Sequence, residues 1–469
     1  MPNHFLPTTL LSNERGDVVP GDQRRAEALA TKEHSRRYHV ALLTNSVAMG
    51  GMERHVELLA RHLDRKTFEI FTICPDWPEI EQFDETLRRM SDHHRLYTPD
   101  RRWGRRRQLT ELWALARQLR AWRVDVLHMH LTSYHGGLGV LLAARLAGVP
   151  VVLCTEHLAP EGPVPLPRRL LRSGFLRLLD HLVCVSEKNC QDRARYFYTP
   201  PDRTSIVVNG VAPEEFVPSD PITVRELRRK LRLPEKAQVI GSVVRFVSEK
   251  GLNYLIDAMP AVLAQHPDTY LLLVGDGPLK GELEAQARRL GIRERVIFAG
   301  FHSDPRPYLF LLEIFVLPVP FGSMSIGLLE AMAMRLPVII TFRDREAVIH
   351  EETGLLAPPR DPEALARAIV RLLANPEVAH MYGDAARKRV EERFSAACVA
   401  HTLSTIYLAC LTGRRSTPPG PSGRRSHCVT ITACRLTRYA LSLRASILSS
   451  GRYRTGTHAR RAAWRACCS

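Results

Sequence analysis

What most limits the fold of this chain is a strand-then-helix alternation that occurs twice, once on either side of a Pro, Gly and acid-rich connector. The first series opens with HVALLT at 39–44, a short apolar run. A glycine turn follows, and then ERHVELLARHL at 53–63 carries apolar residues at helical spacing. Strand-like runs recur at 68–74, 124–128, 150–155 and 182–185, with helical patterns between most of them. The second series contains QVIGSVV, YLLLVG, RVIFAG, IFVLP and PVIIT, again separated by helical segments. Strands that alternate with helices pair in parallel through right-handed crossovers, with both sheet faces covered. The expectation is α/β throughout: two doubly wound domains whose strand ends face one central cleft, joined by VVNGVAPEEFVPSDP.

The domains expected are a leader at 1–37, an N-terminal domain at 38–212, a C-terminal domain at 213–411 and a tail at 412–469. The leader is polar and aperiodic, which predicts disorder. It lacks the basic-then-apolar order of a secretory signal. The longest apolar run, 136–154, is broken by Arg145 and Pro150 and reads as a buried helix followed by a strand. The formal charge of +17 would point to an anionic partner were it spread evenly. From Gly413 to the end, however, there are 12 Arg and no Lys, Asp or Glu, which leaves about +5 for everything before. That tail is a disordered extension, a tether, or a reading-frame artefact. Nucleic acid is therefore not an expected partner. The ten cysteines fall into no metal-ligand spacing, and Cys74, Cys154 and Cys184 sit in strand-like runs as small hydrophobes. This pattern fits a reducing cytoplasm.

Three segments could carry chemistry. Gly50 and Gly51 stand between the first strand and first helix, where bare backbone can approach a ligand and helix N–H groups can meet an anion. A plain tight turn is the alternative. Arg245 and Lys250 follow the first strand of the second series, as two cations suited to a diphosphate or simply to solvent. The third is FGSMSIGLLEAMAMRLPVIIT at 321–341. Ser325 is placed to cap a helix whose N-terminus could face a phosphate, and Glu330 is a carboxylate on an apolar helix that needs a partner such as a hydroxyl pair. GDGP at 275–278 is only a partial dinucleotide fingerprint, because Lys280 stands where its third glycine belongs. His128 and His130 share a strand face, but no third ligand accompanies them and no metal is expected. Two basic stretches, 101–107 and the amphipathic 167–179, could meet an anionic membrane face or be solvated arginine surface.

Taken as a set and in this order, the motifs resemble those of glycosyltransferase family 4, of the GT-B fold. GGME resembles the family's GGxE turn, VVRFVSEKG its phosphate motif, and VVNGV its linker. VGDGP, SIGLLEAMAMRLPVI and TGLLAPPRDPEALARAI resemble its strand end, its LLEAMA-x-G-x-PVI signature and its late segment. The likeness runs from Tyr38 to Leu411. It implies a metal-independent retaining enzyme of hexosyltransferase type, with no cofactor, acting in polysaccharide or glycolipid assembly. A nucleotide-diphosphate sugar would be donor, and a saccharide or lipid-linked molecule acceptor.

The resemblance assigns Arg245 and Lys250 to the donor diphosphate, with Ile326 and Gly327 lending backbone N–H groups and Glu330 binding the ribose. Gly50 and Gly51 join the donor site, and His157 approaches the transferred sugar as the catalytic residue. His130 and His135 line the acceptor side. The chain departs from the family at Gly322, where the first Glu of E-x7-E belongs, and at Leu336, Val208 and Ala212. Gly322 keeps a catalytically degenerate binding or scaffold subunit open, and a nucleotide-sugar epimerase is the other alternative. The expected location is cytoplasmic, with peripheral contact at the inner membrane face.

Overall fold

A computed structural model describes residues 36–46, 50–97, 105–132, 134, 136–158, 160, 162–198, 200–217, 220–320, 325–341, 347–413 and 429–430. Nearly all of the leader and of the tail lie outside these residues, as do His135, Gly322 and the side chains of 101–107. The chain divides into two compact units. Unit 1 draws on 1–183, 192–204 and 404–421; unit 2 draws on 184–191, 205–403 and 422–469.

In unit 1 the elements run β1 (Tyr38–Thr44), α1 (Gly51–His62), β2 (Phe68–Pro75), α2 (Glu81–Met90), β3 (His93–Tyr97), α3 (Arg105–Ala121), β4 (Val126–Leu131), α4 (Leu138–Ala147), β5 (Val151–Glu156), α5 (Leu166–Arg177) and β6 (His181–Cys184). A short helix α6 (Glu187–Ala194) and β7 (Thr204–Ile206) lead into unit 2. The strands of unit 1 lie side by side as β3-β2-β1-β4-β5-β6. Pairing is parallel, with Val40 opposite Ile70 on one side and Val126 on the other. Every residue of β4 and β5 is buried, as strands covered on both faces require. The long apolar run divides as its composition predicts. Gly148, at φ 77°, ends α4 with its amide on the Ala144 and Arg145 carbonyls, and β5 begins three residues later.

Unit 2 contains α7 (Pro221–Lys230), β8 (Gln238–Val243), α8 (Leu252–Leu263), β9 (Thr269–Val274), α9 (Lys280–Arg289), β10 (Val296–Gly300), α10 (Arg306–Phe310), β11 (Ile314–Leu317), α11 (Ile326–Ala333), β12 (Val338–Ile340), β13 (Leu355–Leu356), α12 (Pro362–Leu373) and α13 (Pro376–Arg393). The final helix, α14 (Ala396–Leu411), begins in unit 2 and ends in unit 1. Its strands lie as β10-β9-β8-β11-β12-β13, all parallel. Helix starts follow local chemistry. Asp220 accepts from the Thr223 amide ahead of α7, and Asp361 from the Ala364 amide ahead of α12, each followed by proline at the first helical position. The connector is tied down rather than loose: the Val211 amide donates to the Phe394 carbonyl, and the Ala396 amide to Val211.

Numbered within its own unit, each sheet reads 3-2-1-4-5-6. Chain direction reverses beside the first strand, between β1 and β4 and again between β8 and β11. Parallel sheets bind ligands outside the carboxyl ends of their strands at such a reversal. Four strand ends are therefore marked before any side chain is considered.

Some expectations shift. The strand expected at 124–128 runs instead from Val126 to Leu131, so His128 and His130 both lie within it. The helix that Ser325 was placed to cap does begin at the next residue, Ile326. β3, with the sequence HHRLY, gives no apolar pattern and was not expected at all.

Candidate functional site

In unit 1, Gly50 and Gly51 sit at the carboxyl end of β1, where α1 starts. A Cβ on Gly50 would lie 3.2 Å from Oε2 of Glu53, so the bare backbone leaves room for that carboxylate. Glu53 is buried in the first turn of α1 and accepts the Ser46 hydroxyl. Two residues further, at the other edge of the buried face of α1, His55 is also buried. Its ring lies 5.5 Å from that of His130, at the end of β4, and 5.4 Å from that of His157, just past β5. His130 Nδ1 and His157 Nε2 are 3.5 Å apart, and the His128 ring lies behind, 4.1 Å from the His130 ring and tilted by 41°.

Four histidines thus converge at the reversal point of the sheet. His128 is saturated, with Nδ1 2.6 Å from the Tyr407 hydroxyl and Nε2 2.7 Å from Thr155 Oγ1. His130 is fully buried, and its Nε2 has no hydrogen-bond partner. His157 keeps 9% of its surface exposed, and its amide donates to the Leu131 carbonyl. Burial drives these imidazoles toward the neutral form: His55 down to about 4, His128 down to about 3, and His130 and His157 well below the usual value. Mutual repulsion adds to this for His128, His130 and His157. At neutral pH the cluster carries no charge and offers hydrogen bonds, not cations.

Glu156 anchors the end of β5 immediately before His157. It is fully buried and paired on both oxygens, Oε1 with Arg172 of α5 and Oε2 with Arg193 of α6. Arg172 also donates to the Gly136 carbonyl at 2.9 Å. His55, Glu156, Arg172 and Arg193 were absent from the sequence-based site. Only Glu156 carries a local signal: a carboxylate at the end of an apolar strand.

In unit 2, Arg245 is exposed and Lys250 half-buried in the loop after β8. Burial, and then the Arg245 cation, hold the Lys250 ammonium below its usual pKa, with Glu249 opposing. Two cations that destabilise one another in this way are relieved by an anion. The loop is held from three sides. At Gly251, φ is 63°, and a Cβ would lie 2.1 Å from the Pro318 carbonyl oxygen at the end of β11, so only glycine fits. A Cβ on Gly275 or Gly277 would lie 2.0 Å from the Val244 oxygen or 2.5 Å from the Phe246 oxygen. The amide of Phe246 donates to Asp276, and that of Leu279 to Phe246. GDGP therefore serves as a cradle for the Arg245 loop.

The third side is α11, buried along its whole length. A Cβ on Gly327 would lie 2.6 Å from the Val243 oxygen, so the helix start abuts the end of β8. Ser325 occupies the cap position without a side-chain hydrogen bond. Its carbonyl accepts the Leu328 and Leu329 amides, which leaves those of Ile326 and Gly327 with no intrahelical acceptor. Glu330 is buried. Arg306, held above its usual pKa chiefly by its hydrogen bonds to Asp304, also senses the Glu330 charge. Arg245, Lys250, Ile326, Gly327 and Glu330 are thus gathered around the β8–β11 reversal. His135 and Gly322 lie outside the described residues.

Comparison with known proteins gives this geometry its context. Residues 49–215 match the model described as Glycosyltransferase Family 4, and residues 237–375 match Glycosyl transferases group 1. Together these spans cover well over half of the sequence. The chain belongs to glycosyltransferase family 4. It is a glycosyltransferase of GT-B fold.

Among its relatives is an uncharacterized glycosyltransferase of Methanocaldococcus jannaschii, 29% identical over 48% of this chain and 59% of that protein. Another is a UDP-Gal:alpha-D-GlcNAc-diphosphoundecaprenol alpha-1,3-galactosyltransferase of Escherichia coli, 25% identical over 74% of this chain and 90% of the relative. Among solved structures, Anabaena Alr3699/HepE in complex with UDP and glucose superposes with a TM-score of 0.68 at 18% identity, covering 80% of this chain and all of that one. No helix among the described residues is long and apolar enough to cross a membrane.

Proposed function

We propose that this glycosyltransferase moves a sugar from a nucleoside-diphosphate sugar to a lipid-linked saccharide in polysaccharide or glycolipid assembly, with retention at the anomeric carbon. The observation that carries the donor half is the close approach of the α11 start to the β8 end, beside the paired cations Arg245 and Lys250. Helix N–H groups and two cations form one anion site, and a leaving diphosphate is the anion this family handles. The relative named for UDP-Gal and the neighbour solved with UDP and glucose support the nucleotide.

In the proposed step the bond from the anomeric carbon to the phosphate oxygen breaks, and the bond to the acceptor oxygen forms on the same face. The acceptor proton passes to the departing phosphate. Arg245, Lys250 and the Ile326 and Gly327 amides stabilise the charge that grows on the diphosphate. Glu330 receives the ribose hydroxyls, and Gly50 and Gly51 let backbone approach the donor. Neutral His157 donates to a sugar hydroxyl without placing a cation beside an oxocarbenium-like centre. These assignments need no metal at the diphosphate.

The acceptor half rests on α5. Leu166, Leu170 and Leu171 are each at least 60% exposed, and they alternate with exposed Arg168 and Arg169. Apolar side chains next to cations suit the headgroup layer of an anionic membrane. The relative named for a diphosphoundecaprenol acceptor agrees with this. Anionic vesicles should retain the protein at low salt and release Leu170→Glu/Leu171→Glu; equal retention of both refutes the membrane contact.

The donor site is tested by calorimetry of UDP and GDP with the full chain and with Arg245→Ala/Lys250→Ala. Charge-assisted hydrogen bonds contribute about 1.5–3 kcal/mol each, so each lost cation weakens binding by roughly 10- to 150-fold. Binding of one nucleotide that collapses in the variant, with the fold intact by circular dichroism, is the expected result. Binding of neither, or unchanged affinity in the variant, overturns the reading.

A further inference from the structure

At the β3 edge of the unit 1 sheet, three side chains from three different elements converge. Cys74 Sγ, from β2, is 3.5 Å from Asp84 Oδ1, from α2, and 3.9 Å from His94 Nε2, from β3. His94 Nε2 and Asp84 Oδ1 are 2.5 Å apart. Among the described residues this is the one group of three or more metal-ligating side chains whose donor atoms meet so closely. The donor-site assignments use none of the three, and the sequence placed Cys74 among the small hydrophobes.

The direction of the hydrogen bonds decides what the cluster can hold. The Leu87 carbonyl can only accept, so the Ser91 hydroxyl donates to it at 2.7 Å. Thr72 in turn donates to Ser91 at 2.9 Å, which leaves its oxygen to accept from His94 Nδ1 at 2.7 Å. The imidazole proton is therefore on Nδ1, and a neutral His94 turns the lone pair of Nε2 toward the Asp84 oxygen. Two lone pairs at 2.5 Å repel unless a positive charge lies between them. A second proton on the ring is one such charge, and a cation bound between the two groups is the other. The other carboxylate oxygen is engaged by Arg88 at 3.1 Å, so Oδ1 alone remains for the cluster.

We propose that Cys74, Asp84 and His94 form a structural site for a zinc-type divalent cation, with Thr72 as the group that orients the histidine. Sulfur, imidazole nitrogen and carboxylate oxygen are the donors zinc takes. At its usual bond lengths the donor atoms of a tetrahedral site stand roughly 3.3–3.6 Å apart. Two of the three separations are already within about 0.4 Å of that range, and the His94–Asp84 gap must open by under 1 Å. The side chains of His94 and Asp84 keep 8% and 15% of their surface exposed, which admits a water as fourth ligand. The hydroxyl chain behind His94 is the outer-shell support that metal-bound histidines have.

Burial and the Asp84 charge push the Cys74 thiol pKa upward, with Asp76 adding to this and Arg88 opposing it. The metal must therefore displace a proton: the S–H bond breaks, the sulfur–metal bond forms, and one H⁺ leaves per ion bound. What is gained is a clamp joining β2, α2 and the polar edge strand β3. The clamp does not depend on the donor-site reading and stands or falls apart from it.

The test is a cobalt titration of chelator-treated full-length protein, followed by displacement with zinc. One equivalent of Co²⁺ should produce a thiolate-to-cobalt absorption band in the near ultraviolet, release a proton and raise the melting temperature. In Cys74→Ser, which preserves size, the band should vanish, and His94→Gln should weaken binding by tenfold or more. A protein that takes up no cobalt, or a band that persists in Cys74→Ser, overturns the site.

Discussion

Acid should destabilise unit 1 through its buried histidines, and His55 is where the effect is cleanest. Burial lowers its pKa from 6.5 to about 4 in the fold, whereas the unfolded chain restores the ordinary value. Above pH 6.5 neither state is protonated and His55 has no effect on stability. As pH falls from 6.5 toward 4, the unfolded chain binds a proton that the folded chain refuses, so stability declines by about 1.4 kcal/mol per pH unit. Integrated from pH 7 to pH 5, the loss is about 2 kcal/mol.

His55→Gln removes the titration while keeping a polar group of similar size. Its unfolding free energy should therefore fall about 2 kcal/mol less than wild type over that interval. The assay is urea unfolding at pH 7, 6 and 5, read by tryptophan fluorescence. Trp77, Trp113 and Trp122, three of the five tryptophans, belong to unit 1 and report on it. Parallel stability curves for the two proteins would refute the claim that His55 is held neutral.

Two other substitutions probe the frame around the sites. Glu156→Gln leaves Arg172 and Arg193 buried without their shared carboxylate, and should cost about 3–5 kcal/mol, seen as a lower urea midpoint. A loss below 1 kcal/mol would mean that solvent reaches the pair. Gly327→Ala puts a methyl 2.6 Å from the Val243 oxygen, so α11 must move off β8. Nucleotide affinity should fall at least tenfold while circular dichroism stays unchanged, and unaltered affinity would detach the helix start from the donor site.

The alternation of strands and helices was legible because it depends on local pattern, and both sheets follow from it. β3 was not. An edge strand has one pairing neighbour and an exposed face, so His93-His94-Arg95 meets its needs without an apolar stripe. The paired cations and the α11 start were legible as motifs, since glycine and charge at a strand end leave a local mark. The reason for each glycine was not legible. Gly275 and Gly277 look like an imperfect dinucleotide turn, and only the fold shows that the Val244 and Phe246 carbonyls fill the space where a Cβ would stand. The histidine cluster was least legible. ERHVELLARHL reads as an amphipathic helix, yet Glu53 and His55 lie on its buried side. Their companions Ser46, His130 and His157 come from three other segments, so no window of sequence contains the reason for their burial.

The two reversal points are built with opposite electrostatics, and the proposed reaction gives this a rationale. At the β8–β11 reversal two cations lie beside the free N–H groups of the α11 start, and burial, then the Arg245 charge, hold the Lys250 ammonium below its usual pKa. At the β1–β4 reversal the four histidines are neutral, and the carboxylate–arginine cluster around Glu156 is internally paired. Glycosyl transfer separates charge along one breaking bond, positive at the sugar and negative at the phosphate. In the proposed step, cations at the phosphate stabilise that separation, whereas an imidazolium beside the sugar would oppose it. Under the role proposed for His157, burial that keeps these imidazoles unprotonated serves the chemistry, and the acid sensitivity expected of unit 1 is its thermodynamic consequence.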